Sequence, residues 1–189
     1  MNEKSIGTQP DQWEYVTSVA AAWDCPISIH SNLHAFATHP RTSDNLEVVR
    51  RWEEVRASHC LTEKQKKKLQ NVHQEHHLLI NEQNQFELVS YDQIEVSGGS
   101  REVRAFVFQR QKEHYVVYWH ISGNKQLELS LNPSNVSFYE KLGQEARFSS
   151  SANNTIVVPV DNRRYIKANR NITKKQLIDA FKNAQIIEE

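Results

Sequence analysis

The sequence predicts an α+β protein: a helical N-terminal segment with a short lone strand, an antiparallel β-sandwich, and a C-terminal helix. Three observations carry this reading. Apolar residues recur at helical spacing in the first third of the chain and alternate at strand spacing after His77. The alternating runs follow one another at roughly 8–12-residue intervals, which argues for a sandwich rather than a parallel sheet. Near the end, Thr173 with Gln176 forms a capping pair that opens a last helix burying Leu177, Phe181 and Ala184. The division expected is residues 1–72 as a helix–strand–helix segment and 73–189 as the β-domain with its closing helix.

In chain order, Trp13 to Trp23 reads as a helix with Trp13, Val16, Ala20 and Trp23 on one face and Asp11 as its cap. Pro26 ends it, and Pro26–His30 reads as a short strand. Residues 31–43 are rich in turn and polar residues and read as a loop. Asp44 with Glu47 resembles a capping box, and the helix after it is expected to bury Leu46, Val49, Trp52 and Val55. Thr62 with Gln65 opens a shorter helix through Leu69, whose Lys64, Lys66, Lys67 and Lys68 form a solvated face.

Leu78–Ile80 and Phe86–Val89 flank a polar loop and read as a hairpin. Val103–Gln109, Tyr115–Trp119, Leu127–Leu131, Thr155–Val160 and Arg164–Lys167 supply further strands. Leu127, Leu129 and Leu131 alternate with Glu128 and Ser130, the mark of a strand with one wet face. Gly98-Gly99 and Ser122-Gly123-Asn124 punctuate them as turns.

Composition excludes several function classes. Lys+Arg and Asp+Glu both number 23 in 189 residues, so no net basic charge addresses nucleic-acid phosphates or an anionic membrane. No apolar run approaches the roughly 20 residues that span a bilayer. The stretch from Met1 to Pro10 is polar, which predicts no secretory signal and a cytoplasmic location. Cys25 and Cys60 are too few for a disulfide framework and are expected to be buried thiols in a reducing compartment. The sequons at Asn135, Asn153 and Asn171 then read as chance matches.

A strand at Pro26–His30 needs hydrogen-bonding neighbours, and the residues before it supply none. It is either the end of a (β/α) barrel whose other repeats lie elsewhere, or a strand that pairs with the β-region of its own chain.

Trp13-Glu14-Tyr15-Val16-Thr17-Ser18 and Ala20–Ile29 resemble the last helix and strand of a glycoside-hydrolase-like barrel protein, with fucosidases among the nearest in kind. The helix around Asp44–Arg56 fits the final βα unit of such a barrel. Glu75–Glu82, Arg104–Phe108, Val116–His120 and Val158-Pro159-Val160 through the closing helix resemble the trailing β-domain. The resemblance implies a β-domain that supports a sugar-processing barrel, with His30, Asn32 and His34 lining the sugar site just past the strand. It implies a carbohydrate ligand and the remainder of a barrel as partners. Glycosidases use paired carboxylates, and residues 30–43 contain no Asp or Glu. If the chain is part of an enzyme, it is a glycosidase whose catalytic carboxylates are not in this chain. The alternative is a stand-alone β-sandwich module that binds carbohydrate or protein.

Other chemistry is weaker. His73-Gln74-Glu75-His76-His77 lacks the spacing that puts two imidazoles on one helical face, and no metal or cofactor is expected. Tyr118 and His120 alternate with Val117 and Trp119, so an aromatic ligand platform would need Tyr118 and His120 exposed. Cys25 has no assigned base and reads as a structural thiol.

Overall fold

A computed structural model describes residues 7–81, 83–141, 144–151 and 154–187. The chain divides into two compact units, one reaching Ile80 and including Gln85–Ser90, the other comprising Asn81–Asn84 and Tyr91 onward. Among the described residues, no helix is long and apolar enough to cross a membrane.

The first unit is built from helices α1 (Pro10–Ala22), α2 (Leu33–Thr38), α3 (Thr42–Ala57) and α4 (Glu63–Leu69), with strand β1 (His76–Ile80) paired to the start of β2 (Phe86–Ile94). Pro10 sits in the first turn of α1, where its missing N–H costs nothing, and Gln9 with Gln12 closes a reciprocal cap. Thr62 and Gln65 form the capping box of α4 as the spacing predicts. Ala21, Ala22, Val48, Trp52, Val55, Leu61, Leu69 and Leu78 make one core from α1, α3, α4 and β1.

Several expectations for this unit are corrected. Residues 25–32 form no strand, and the Ile27 N–H donates to the Glu53 carboxylate at 3.2 Å instead of to a neighbouring strand. The segment 31–43 is not all loop, because Asn32 accepts from the Ala35 N–H and nucleates α2. Helix α3 starts two residues before Asp44, and Leu46 is 43% exposed while Val48 takes its place in the core. The face of α1 is also reversed. Its buried residues include Glu14, Thr17, Ser18 and Ala21, whereas Val16 and Trp23 are exposed. The Thr17 and Ser18 hydroxyls donate back to the Trp13 and Tyr15 carbonyls, so the small inward side chains bring no unsatisfied donor to the core.

In the second unit every strand pair is antiparallel. The end of β2 leads a sheet through β3 (Val103–Arg110), β4 (Glu113–His120), β10 (Arg164–Ala168), β6 (Val136–Lys141) and β7 (Gln144–Ala146). A second sheet runs β11 (Gln185–Ile187), β5 (Lys125–Leu129), β9 (Thr155–Val160), β8 (Ser149–Ser151). Val107, Val116, Tyr118 and Ile166 of the first sheet meet Leu127, Leu129, Ile156 and Val158 of the second in one core. Helix α5 (Lys174–Lys182), capped by Thr173 and Gln176, adds Leu177, Ala180 and Phe181 to it. The α+β class, the antiparallel sheets and the C-terminal helix are therefore as predicted.

β3 and β4 pair from Val103↔His120 to Arg110↔Glu113, leaving Gln111 and Lys112 as a two-residue corner. Both corner residues have positive φ, 49° and 69°, which is the backbone a tight hairpin with right-twisted strands requires. Along β4, Tyr118 is fully buried against Phe181 and His120 is 4% exposed, so the proposed aromatic platform is interior. The His120 Nδ1 accepts from the Ser122 and Gly123 N–H groups at 3.2 and 2.7 Å, which makes this imidazole the organiser of a turn. Cys25 and Cys60 are free and exposed, contrary to the expectation of buried thiols.

Candidate ligand cavity

The first unit contains a cavity of about 350 Å³, at the small end of the ~300–1,000 Å³ usual for small-molecule sites. Trp13 of α1, Ile29, Phe36 of α2 and Leu46 of α3 give it apolar walls. Its polar lining comes from His30, Ser31, His39, Thr42 and Asn45. Of the residues predicted to touch ligand, His30 lines this cavity. Asn32 is used as the α2 cap, its Oδ1 accepting from Ala35 N at 2.8 Å. His34 is exposed on α2 and is not part of the lining.

The two polar groups that matter most are His39 and Asn45. The His39 Nδ1 accepts the Arg41 N–H at 3.1 Å, so the neutral ring carries its proton on Nε2. That Nε2–H is buried and has no partner among the described residues. The Asn45 Nδ2 donates to the Thr8 carbonyl at 2.8 Å, which leaves Oδ1 as an acceptor. Oδ1 is also buried and has no partner among the described residues. Gly7, at φ +76°, passes in front of the imidazole, and a Cβ there would stand 2.6 Å from Nε2. Glycine therefore permits both the backbone conformation and the close approach of the chain to the imidazole.

An orphaned buried donor or acceptor costs about 1–3 kcal/mol. Here one of each belongs to a residue that lines the same cavity. A hydroxyl group donates and accepts at once, so hydroxyl-bearing ligands match this pair. Among the described residues the lining has no Asp, Glu, Lys, Arg or Cys. It therefore offers no carboxylate pair for glycoside hydrolysis and no charge for an ionic ligand.

Behind α1 lies a buried polar cluster that fixes the helix carrying Trp13. The Glu14 carboxylate is 2.5 Å from His77 Nδ1 and accepts the Trp52 indole N–H at 2.6 Å. It also accepts the Leu78 N–H at 3.4 Å, and Glu14 and His77 are only 2% and 1% exposed. Neither Glu14 nor His77 faces the cavity lining, so the cluster acts as an anchor between α1, α3 and β1.

The neighbouring His76 is buried differently. Desolvation, helped by the Lys68 charge, pushes it down to about 4 from 6.5, against a smaller upward pull from a hydrogen bond to the Gln74 backbone. Its unfolded form takes a proton in the window between those values and its folded form does not. Stability is therefore fully present above the ordinary histidine range and falls as pH drops toward about 4. The expected loss between about pH 7.5 and about pH 4.5 is roughly 2–3 kcal/mol. Urea unfolding at the two pH values, with His76→Leu as reference, checks this: the variant should lose that part of the pH dependence.

A second depression, of about 390 Å³, lies in the other unit beside Asn132, Asn135, Asn171 and Asn183. Its amides are already engaged locally. Asn135 Oδ1 accepts from Asn169 and Asn171, Asn132 caps the 3₁₀ turn after it, and Asn183 donates to the Asp179 carbonyl. Among the described residues, no group of three or more His, Cys, Asp or Glu side chains is placed to hold a metal ion. Comparison with protein families, characterised proteins and solved structures finds no match to this chain.

Neither His39 nor Asn45 stood out in the sequence. Their significance depends on Thr8 and Arg41 each satisfying one end of the side chain, a tertiary arrangement with no local signature.

Proposed function

We propose that this chain is a binding module, and that the first unit takes a small neutral hydroxyl-bearing molecule, of which a monosaccharide is the fitting class. The observation that carries this is a buried Nε2–H on His39 and a buried Oδ1 on Asn45, neither with a partner among the described residues, on two residues that line one cavity. The apolar walls suit the C–H faces of a sugar ring, and the uncharged lining suits a neutral ligand. This reading is one of binding and assigns no reaction to the cavity.

A second reading has the chain serve as the C-terminal portion of a glycoside-hydrolase-like protein, and His30 supports it by lining the cavity as that resemblance implies. The lone strand that argued for a missing barrel is not formed, and the binding reading does not need it.

Ligand-observed and amide-shift NMR with a panel of neutral monosaccharides and small polyols tests the proposal on the full chain. Binding in the micromolar-to-millimolar range is expected, with shifts at His39, Asn45 and Trp13. Asn45→Leu should weaken it at least ~10-fold, the loss of one or more hydrogen bonds to the ligand. No binding by any member of the panel, or equal binding by the variant, overturns it.

A further inference from the structure

Between α1 and α3 the chain runs from Trp23 to Pro40 without a buried residue. Within residues 28–40 the half-buried side chains are Ile29, Ala35, Phe36 and His39, and all four line the cavity. Leu33, on the same short helix, is 88% exposed. The side-chain contacts that hold this segment down are therefore those around the cavity. Helix α2 itself has six residues and none is buried. Isolated helices shorter than about 12–15 residues are marginal in water, so α2 depends on what it rests against.

The polar attachments are few and lie toward the two ends. The Ile27 N–H donates to Glu53 at 3.2 Å before the segment begins. Beyond α2, the Thr42 hydroxyl reaches the Phe36 and His39 carbonyls at 2.8 and 3.0 Å. Trp13, Asn45 and Leu46 supply other walls of the cavity from α1 and α3. Those two helices share a core through Ala21, Val48 and Trp52.

The two groups that a hydroxyl would join are divided between these parts. The donor, His39 Nε2–H, is carried by the segment, and the acceptor, Asn45 Oδ1, by α3. A hydroxyl that accepts from one and donates to the other ties the segment to the helix. The apolar face of the same ligand packs beside Ile29 and Phe36. A ligand that touches both parts binds the closed arrangement more tightly than an open one and shifts the population toward it.

We propose that residues 28–40 form a flap that opens over the empty cavity and that a bound ligand closes. The proposal rests on the reading of the cavity as a site for a hydroxyl-bearing ligand.

Amide hydrogen exchange of the full chain, followed by NMR, tests it. The Phe36 and His39 N–H groups donate to the Asn32 and Ala35 carbonyls in and beside α2. Without ligand they should exchange at least ~100-fold faster than the Trp52 amide of α3. Thr42→Val keeps the side-chain shape but removes the hydroxyl donor, and should quicken both about 3–10-fold with Trp52 unchanged. A monosaccharide or polyol of the panel that binds, supplied at about ten times its dissociation constant, should slow both about 10-fold. The flap is overturned if the two amides are as slow as Trp52 in the ligand-free chain, if Thr42→Val leaves them unchanged, or if a bound ligand fails to slow them. Each of those results leaves the cavity reading standing. Absence of any binder in the panel overturns the cavity reading, and the closing step with it.

Discussion

Glu14→Ala lowers the unfolding free energy of the first unit by about 3–5 kcal/mol, because it removes a buried acceptor that several groups share. The carboxylate holds three donors or potential donors at once: the His77 ring, the Trp52 indole and the Leu78 amide. Truncation strands all three in an interior where His77 and Trp52 are each 1% exposed. The desolvation of each group then goes uncompensated by the protein. Glu14→Gln keeps one oxygen acceptor and should cost less, roughly 1–3 kcal/mol. Three of the four tryptophans, Trp13, Trp23 and Trp52, lie in the first unit, so tryptophan fluorescence in a urea titration, with Trp119 replaced by Phe, reports on it. An alanine variant within about 1 kcal/mol of the parent would mean the cluster is not the anchor described.

Phe181→Ala is the matching experiment in the second unit, with an expected loss of about 3–5 kcal/mol. The ring is fully buried, its centroid 5.6 Å from that of Tyr118, within the core that joins both sheets to α5. Removing it opens a cavity between helix and sheet. It also weakens the hold on the turn at Ser97 and Gly98, whose N–H groups donate to the carbonyls of Phe181 and Lys182. Hydrogen exchange should therefore quicken at Ser97 and Gly98 as well as along β4, while Phe181→Leu should retain most of the protection. Unchanged exchange at Ser97 in the alanine variant would show that the turn is held independently of the ring.

The parts of the fold that the sequence made readable are those governed by local rules. The Thr62–Gln65 and Thr173–Gln176 boxes each satisfy donors within one helical turn, and both helices start where those pairs stand. β5 and β9 alternate because one pleat face meets the core, whereas β3 and β4 are buried on both faces, and all four lie where strand-forming residues run together. β7, β8 and β11 escaped, since a strand of three residues such as Ser149–Ser151 or Gln185–Ile187 has no period to detect, and the six-residue β6 went unread as well.

The misreadings share a physical origin. Periodicity in α1 identified an apolar stripe but could not tell that Glu14 would find His77, 63 residues away, and so draw the opposite stripe inward. Pro26–Ile29 has β-forming residues, yet its Ile27 amide is satisfied by the Glu53 side chain, a partner that no sequence spacing announces. His30 was legible as a candidate because it follows that segment. Asn32 was spent on a cap, a local role that its position before Ala35 already signalled.

At the corner between β3 and β4, two exposed residues with ordinary side chains, Gln111 and Lys112, occupy the left-handed region that glycine and asparagine usually fill. The fold of this hairpin is thus dictated by its long ladder, with the corner following passively. A tip of that kind has little to lose from lengthening, which makes it a natural point for splicing in an epitope, a fluorophore tether or a foreign domain.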